Sequence, residues 1–203
     1  MTPSGPAAPA QKVVLASASP RRRALLGAMH VDFAVRSADL DESALPGEDP
    51  QAYVARLAAA KALAVADALG DPEVLVIGAD TAIDLDGLVL GKPVDDAHAE
   101  TMLRLLSGRS HRVLTAVAVR RRGATQVGVE QATVTFHALS DETIEEYVRS
   151  GEPADAAGAY AIQGLGAALV AHVEGHRSTV IGLPVGLLVR LGRVVGVDLA
   201  PSR

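Results

Sequence analysis

Two short stretches, Val13–Ala16 (VVLA) and Val74–Asp80 (VLVIGAD), are almost wholly apolar and too short to be buried helices. Unbroken rather than alternating apolar runs characterise strands covered on both faces. Each run stops abruptly in polar chemistry, the first at Ser17 and the second at the carboxylate of Asp80. Stretches of helical period lie between and after them, so helices must cover both sides of a sheet. The expected class is α/β, with a central mixed sheet flanked by helices.

The first run leads into SASPRRRALL. Ser19 suits a helix N-cap and Pro20 the first helical position, so a helix is expected from Pro20 to about Met29. Residues 35–49 are acidic and polar and read as a loop. A long helix follows Asp49-Pro50 and runs to about Leu69, with the stripe Val54, Leu57, Lys61, Val65 and Ala68. TAIDLDGLVLGKP reads as a hairpin around Asp86-Gly87. Asp95 or Asp96 caps a helix that Gly108 ends. HRVLTAVAV and ATVTFHAL are strands separated by the polar turn RRRGATQ, and Ser140 caps DETIEEYVRS. The segment GEPADAAGAYAIQGLGAALV reads as a loop before an apolar strand, and GLPVGLLVRLGRVVG closes with a helix. No repeat or interdomain linker interrupts this order. The expected organisation is a tail over residues 1–11, one domain over 12–197, and a C-terminal tail over 198–203.

The 203 residues suffice for a single core, which must be aliphatic because aromatic residues make up only 2 %. A net charge of −5 disfavours a nucleic-acid partner, whose binding surface is usually basic. The chain has no cysteine, hence no disulfide framework and no thiolate metal site. The first ten residues are rich in Pro and Ala, without the charged and apolar regions of a signal peptide. No apolar run approaches the ~18 residues of a membrane span. A cytoplasmic protein without a membrane partner is expected.

Arg21, Arg22 and Arg23 crowd the first turn of a helix, where cations cost roughly 0.3–1 kcal/mol each against the helix dipole. An anion resolves this cost: helix N–H groups, Ser17, Ser19 and the arginines together suit a phosphate or polyphosphate. The alternative is a solvated basic turn. The cluster follows the C-terminal end of a buried strand, where open α/β sheets bind ligands.

Of the 19 basic residues only Lys12, Lys61 and Lys92 are lysine. Lys61 lies on the apolar stripe of its helix, either snorkelling from its edge or aiming an ammonium into the crevice. Lys92, in GLVLGKP, is either a surface lysine or a phosphate ligand. That stretch is no phosphate-binding P-loop: its glycines are one residue too close, and Pro93 stands where Ser or Thr would hold magnesium. Asp80 at a buried strand end is either a cap or a carboxylate that binds a cation or works as a base. Asp39 and Glu42 in the acidic loop are either solvated or partners for a hard divalent ion. The six histidines show no metal-ligand spacing.

Taken in order, LASASPRR, VARLAAAKA, VIGADT, GKP, LSGRSHRVLTAV, SGEPADAAGAYAIQG and VIGLP resemble the Maf family of nucleoside triphosphate pyrophosphatases over about residues 12–195. The resemblance implies two lobes with an intervening cleft, similar to the inosine triphosphatase group. It implies hydrolysis of a nucleoside triphosphate to the monophosphate and pyrophosphate, a divalent metal cofactor (Mg2+ or Mn2+), and a homodimer. Arg21 and Arg22 would contact phosphate and nucleotide, Lys61 and Lys92 would be phosphate ligands, and Asp80 the general base. Glu42 would serve metal or water together with Asp80.

SPRR, GADT and AYAIQG match the branch of the family that prefers dTTP and UTP, so the resemblance makes Arg21, Thr81 and Gln163 specificity residues. A Gln amide offers one donor and one acceptor, complementary to the O4/N3–H edge of uracil or thymine. The rival reading is a nucleotide-binding regulator of cell division with little turnover. Its substrates could be ordinary pyrimidine triphosphates or modified ones.

Overall fold

A computed structural model of the chain describes residues 12–200. The expected N-terminal tail, residues 1–11, lies outside them. The order of elements is β1 (Val13–Leu15), α1 (Pro20–Ala28), β2 (Phe33–Val35), α2 (Pro50–Leu69), β3 (Leu75–Leu85) and β4 (Leu88–Leu90). Then come α3 (Asp96–Leu106), β5 (Ser110–Arg121), β6 (Ala124–Phe136) and α4 (Asp141–Arg149). Three 3-10 turns between residues 152 and 169 lead to β7 (Val170–Glu174), α5 (Arg177–Ile181) and α6 (Val185–Val194).

The seven strands form one mixed sheet in the order β2-β1-β3-β5-β6-β7, with β4 also paired to β3. β1 runs parallel to β2 and β3, and the remaining pairs are antiparallel. The α/β class and mixed sheet expected from the sequence are therefore present.

β3 is the spine. Its first half packs Leu75, Ile77 and Ala79 with Leu26 of α1 and Leu188 of α6. Val76, facing the other way, joins Val54, Ala58, Ala62 and Val65 of α2. Its second half enters a separate core, where Ile83 and Leu85 meet Met102 and Leu106 of α3 and Ile144 of α4. One strand thus serves two lobes, and Asp80 and Thr81 sit at the crossing.

The sheet has a gap at that crossing. β1 pairs with β3 only over Leu75–Ile77, and β4 pairs with the strand only over Ile83–Leu85. On this edge residues 78–82 have no ladder partner among the described residues. Backbone and side chains there face an opening between the lobes.

The structure corrects several boundaries. β2 and the short α5 arise from stretches whose period is too brief to read. The β5–β6 turn contracts to Arg122-Gly123, both at positive φ, and β6 begins at Ala124. Its first half alternates in partly exposed residues and so resembles a turn in composition. The strand after the long loop, β7, is a largely exposed edge rather than an apolar strand. The domain extends past residue 197, because Leu199 packs into the core beside α6 with only 3 % exposure. No described helix is long and apolar enough to cross a membrane.

Candidate active site

The opening beside residues 78–82 is a cavity of about 780 Å³, within the ~300–1,000 Å³ usual for small-molecule sites. Ser17, Ser19, Arg21, Arg22, Glu42, Lys61, Asp80, Thr81 and Lys92 all line it. Residues from five separate stretches of the chain converge there, Lys61, Lys92 and Asp80 among them. Each faces the crevice.

A glycine sets the deepest contact. A Cβ on Gly78 would lie 2.2 Å from the Ala58 carbonyl oxygen and 2.8 Å from the Ala62 nitrogen. Only hydrogen fits, so α2 lies with its backbone against β3. Asp49 begins that helix by accepting from the Gln51 and Ala52 amides at 2.8 and 3.2 Å. The close approach carries Lys61, three residues beyond Ala58, to Asp80, two residues beyond Gly78.

Lys61 Nζ donates to Asp80 Oδ1 at 2.7 Å and pairs with Glu42 Oε1 at 2.7 Å. Lys61 and Asp80 are 8 % and 6 % exposed, so both charges are largely withdrawn from water. Burial pushes the Asp80 carboxyl above its ordinary value, against the opposing pull of Lys61 and Arg22.

Arg22 forms the opposite wall. Its Nε donates to the Gly182 carbonyl at 2.8 Å, Nη1 to Ser17 Oγ at 3.1 Å and Nη2 to Thr81 Oγ1 at 3.0 Å. Burial lowers its pKa, with Asp80 opposing, yet an arginine stays protonated throughout. Ser19 caps α1 by accepting from the Arg22 amide at 3.4 Å, while its own amide donates to Ser17 Oγ at 3.3 Å. Arg23 is exposed and does not line the cavity.

At the mouth, Asp155 pairs with Lys92 on one side and with Arg21 on the other. Its backbone carbonyl accepts from Arg21 Nη2 as well. One carboxylate therefore links the GKP segment to the first helix across the cleft.

Among the lining residues that the sequence did not single out are Tyr53 and Asp155. Tyr53 Oη donates to the Glu42 carbonyl at 2.9 Å and steadies the acidic loop. Burial chiefly raises its pKa, with Asp80 and Glu42 adding to the effect. The spacing Tyr53, Leu57, Lys61 carried a usable signal, since it places all three on one helix face. Asp155 had none, lying in a loop without periodicity.

Gln163 is a candidate that the structure does not bring to the cavity. Its side chain is exposed at the start of a 3-10 turn, and it lines neither the main cavity nor the small chamber beside Arg21 and Thr81. Asp39 is likewise exposed and outside the lining, where Asp41 and Glu42 stand instead.

Among the described residues no three His, Cys, Asp or Glu side chains are grouped to hold a metal. Magnesium, however, commonly takes one or two carboxylates and completes its shell with water and substrate phosphates. Asp80 and Glu42, both hard oxygen donors drawn to one cation already, fit that role.

The cavity thus combines a basic rim, a buried carboxylate and an acidic flank. The model of the family described as "Maf-like protein" matches residues 12–194. The chain belongs to the Maf family. It is 46 % identical over 190 residues to the dTTP/UTP pyrophosphatase of Hahella chejuensis, covering 93 % of this chain and 94 % of that one. It is 50 % identical over 199 residues to the dTTP/UTP pyrophosphatase of Anaeromyxobacter dehalogenans strain 2CP-1, covering 96 % and 99 %. Among solved structures, the Ham1 protein of Staphylococcus aureus is similar at 20 % identity and a TM-score of 0.44, over 62 % of this chain and 71 % of that one.

Proposed function

We propose that this chain hydrolyses dTTP and UTP to the monophosphate and pyrophosphate. The reading rests on its high identity to relatives of that name. The single structural observation that carries it is the Lys61 ammonium between Asp80 and Glu42, inside a cavity rimmed by Arg21, Arg22 and Lys92.

In this reading the triphosphate lies along the basic rim, and Arg21, Arg22, Lys61 and Lys92 neutralise its charge. Asp80, with Oδ1 engaged by Lys61, uses its second oxygen to take a proton from water. That water attacks the α-phosphorus in line, its oxygen forming the new P–O bond as the α–β bridging bond breaks. Pyrophosphate leaves carrying the electron pair, its growing charge met by the rim. Such transfers depend mainly on positioning and charge stabilisation. A magnesium or manganese ion held by Asp80 and Glu42 would add Lewis-acid stabilisation and acidify the water.

A site built only to bind a triphosphate has no use for a buried carboxylate beside the anion, which disfavours the regulator reading. The nucleotide pool it would act on supports a cytoplasmic location, and a homodimer rests on the family resemblance. Incubation with a panel of triphosphates, scored for pyrophosphate, tests the proposal: release from dTTP and UTP supports it, and no release from any triphosphate overturns it.

A further inference from the structure

Behind Arg22 lies a line of hydroxyls that the proposed chemistry does not use. Thr115 of β5 stands opposite Thr81 in the sheet register, and its side chain is fully buried. Thr115 Oγ1 donates to the Thr179 carbonyl at 2.7 Å. The Thr81 and Thr115 hydroxyl oxygens are 3.0 Å apart. A hydroxyl has one proton to give. Thr115 has spent its proton on Thr179, so Thr81 must donate to Thr115. Thr81 then has only lone pairs left for the cavity side, and they accept from Arg22 Nη2 at 3.0 Å.

Proton direction is thereby fixed along the whole line, from Arg22 through Thr81 and Thr115 to a backbone carbonyl of α5. The same short helix is tied at two further points. Thr179 Oγ1 donates to Glu130 Oε1 at 2.7 Å, and the carbonyl of Gly182, just past the helix, accepts from Arg22 Nε at 2.8 Å. Gly182 has φ +114°, and a Cβ there would lie 3.1 Å from Thr81 Oγ1. The close approach of α5 to the arginine therefore depends on glycine.

We propose that Thr115 is a positioning residue for catalysis: without touching substrate, it orients the Thr81 hydroxyl as an acceptor and so holds the Arg22 guanidinium in its phosphate-binding pose. The proposal rests on the reading of Arg22 as a triphosphate ligand. Removing the Thr115 hydroxyl at constant shape frees Thr81 to rotate and to turn its proton towards Arg22, which repels the fork.

The test is a double-mutant cycle on the full chain, with kcat/KM for dTTP as readout. Thr115→Val is expected to lower kcat/KM about tenfold in the parent, and Thr115→Ser, which keeps the hydroxyl, by less than about twofold. In an Arg22→Lys background, where no guanidinium fork needs aligning, Thr115→Val is expected to cost less than about twofold more. An equal fold-loss in both backgrounds would mean that Thr115 is a packing residue only, and overturns the proposal. A Thr115→Ser variant as poor as Thr115→Val overturns it too. If Arg22→Lys alone is fully active, the phosphate reading of Arg22 fails first and the proposal falls with it. Should Thr115→Val not fold, Thr115→Ala removes the same hydroxyl with a smaller side chain, with the same two outcomes.

Discussion

Lys61 Nζ reaches Asp80 Oδ1 and Glu42 Oε1 at 2.7 Å each, so one ammonium is shared by a buried carboxylate and an exposed loop carboxylate. The two acids differ in surroundings: the Asp80 side chain is 9 % exposed and that of Glu42 51 %. The inner pair is the one whose loss the fold must feel.

Lys61→Met is expected to destabilise the chain by roughly 3–5 kcal/mol, the usual cost of leaving a buried charge without its partner. Asp80→Asn in the same background should recover part of that loss, because the orphaned charge is gone. Urea unfolding of the two single variants and the double variant checks this. Additive losses would mean that the pair is not coupled.

Asp80→Asn alone keeps the shape and removes the base. Turnover should fall about 10²–10⁴-fold, while nucleotide binding survives or tightens because a negative charge near the triphosphate has been removed. Near-full kcat would move the base elsewhere, with Glu42 the next candidate.

The pH dependence follows from the same pair. Burial raises the Asp80 pKa and Lys61 opposes that rise. A base must be unprotonated, so the acid limb of the rate profile should lie above the range of an exposed aspartate. In Lys61→Met the opposing cation is absent, and the limb should move to higher pH still. A limb that stays put in the residual activity of that variant would detach Asp80 from the rate.

His111 gives a pH effect on stability. Burial lowers its pKa to about 4, and among the described residues its Nδ1 is a buried side-chain polar atom without a hydrogen-bond partner. Its Nε2 meets the Tyr160 hydroxyl at 2.9 Å. The folded form binds fewer protons than the unfolded form between about 6.5 and 4, so stability rises with pH across that window. Acidification below 6.5 should cost up to roughly 1.4 kcal/mol per pH unit until about pH 4. Urea midpoints at several pH values, in the parent and in His111→Gln, show whether this residue carries the slope. An unchanged slope in the variant assigns it to other groups.

Much of this architecture was legible because local rules and global placement agree. The Ser19 cap with Pro20, the start of the long helix at Asp49-Pro50, and the Asp86-Gly87 hairpin all appear where the sequence put them. Lys61 was visible as a cation on an apolar stripe, a local contradiction that the Asp80 carboxylate resolves. What could not be read is long-range. Nothing local says that β1 ends three residues before Asp80 in the register and leaves the strand edge open, nor that Asp155 meets Lys92 and Arg21. Gln163, exposed and outside the lining, shows the same limit, since complementary hydrogen-bonding chemistry carries no information on distance.

Because Gln163 lies exposed and outside the cavity, Gln163→Glu is expected to leave the order of kcat/KM for dTTP, UTP, CTP and GTP as in the parent. A reordering of the four would show that the segment carrying it closes onto the base.

The proposed reaction turns on attack of water at the α-phosphorus of a pyrimidine triphosphate held along the basic rim. Hydrolysis of dTTP in ¹⁸O-labelled water, with products separated and weighed by mass spectrometry, tests it most directly. Attack at the α-phosphorus yields dTMP carrying the label and unlabelled pyrophosphate. Label in pyrophosphate, or dTDP with orthophosphate as the products, would contradict it.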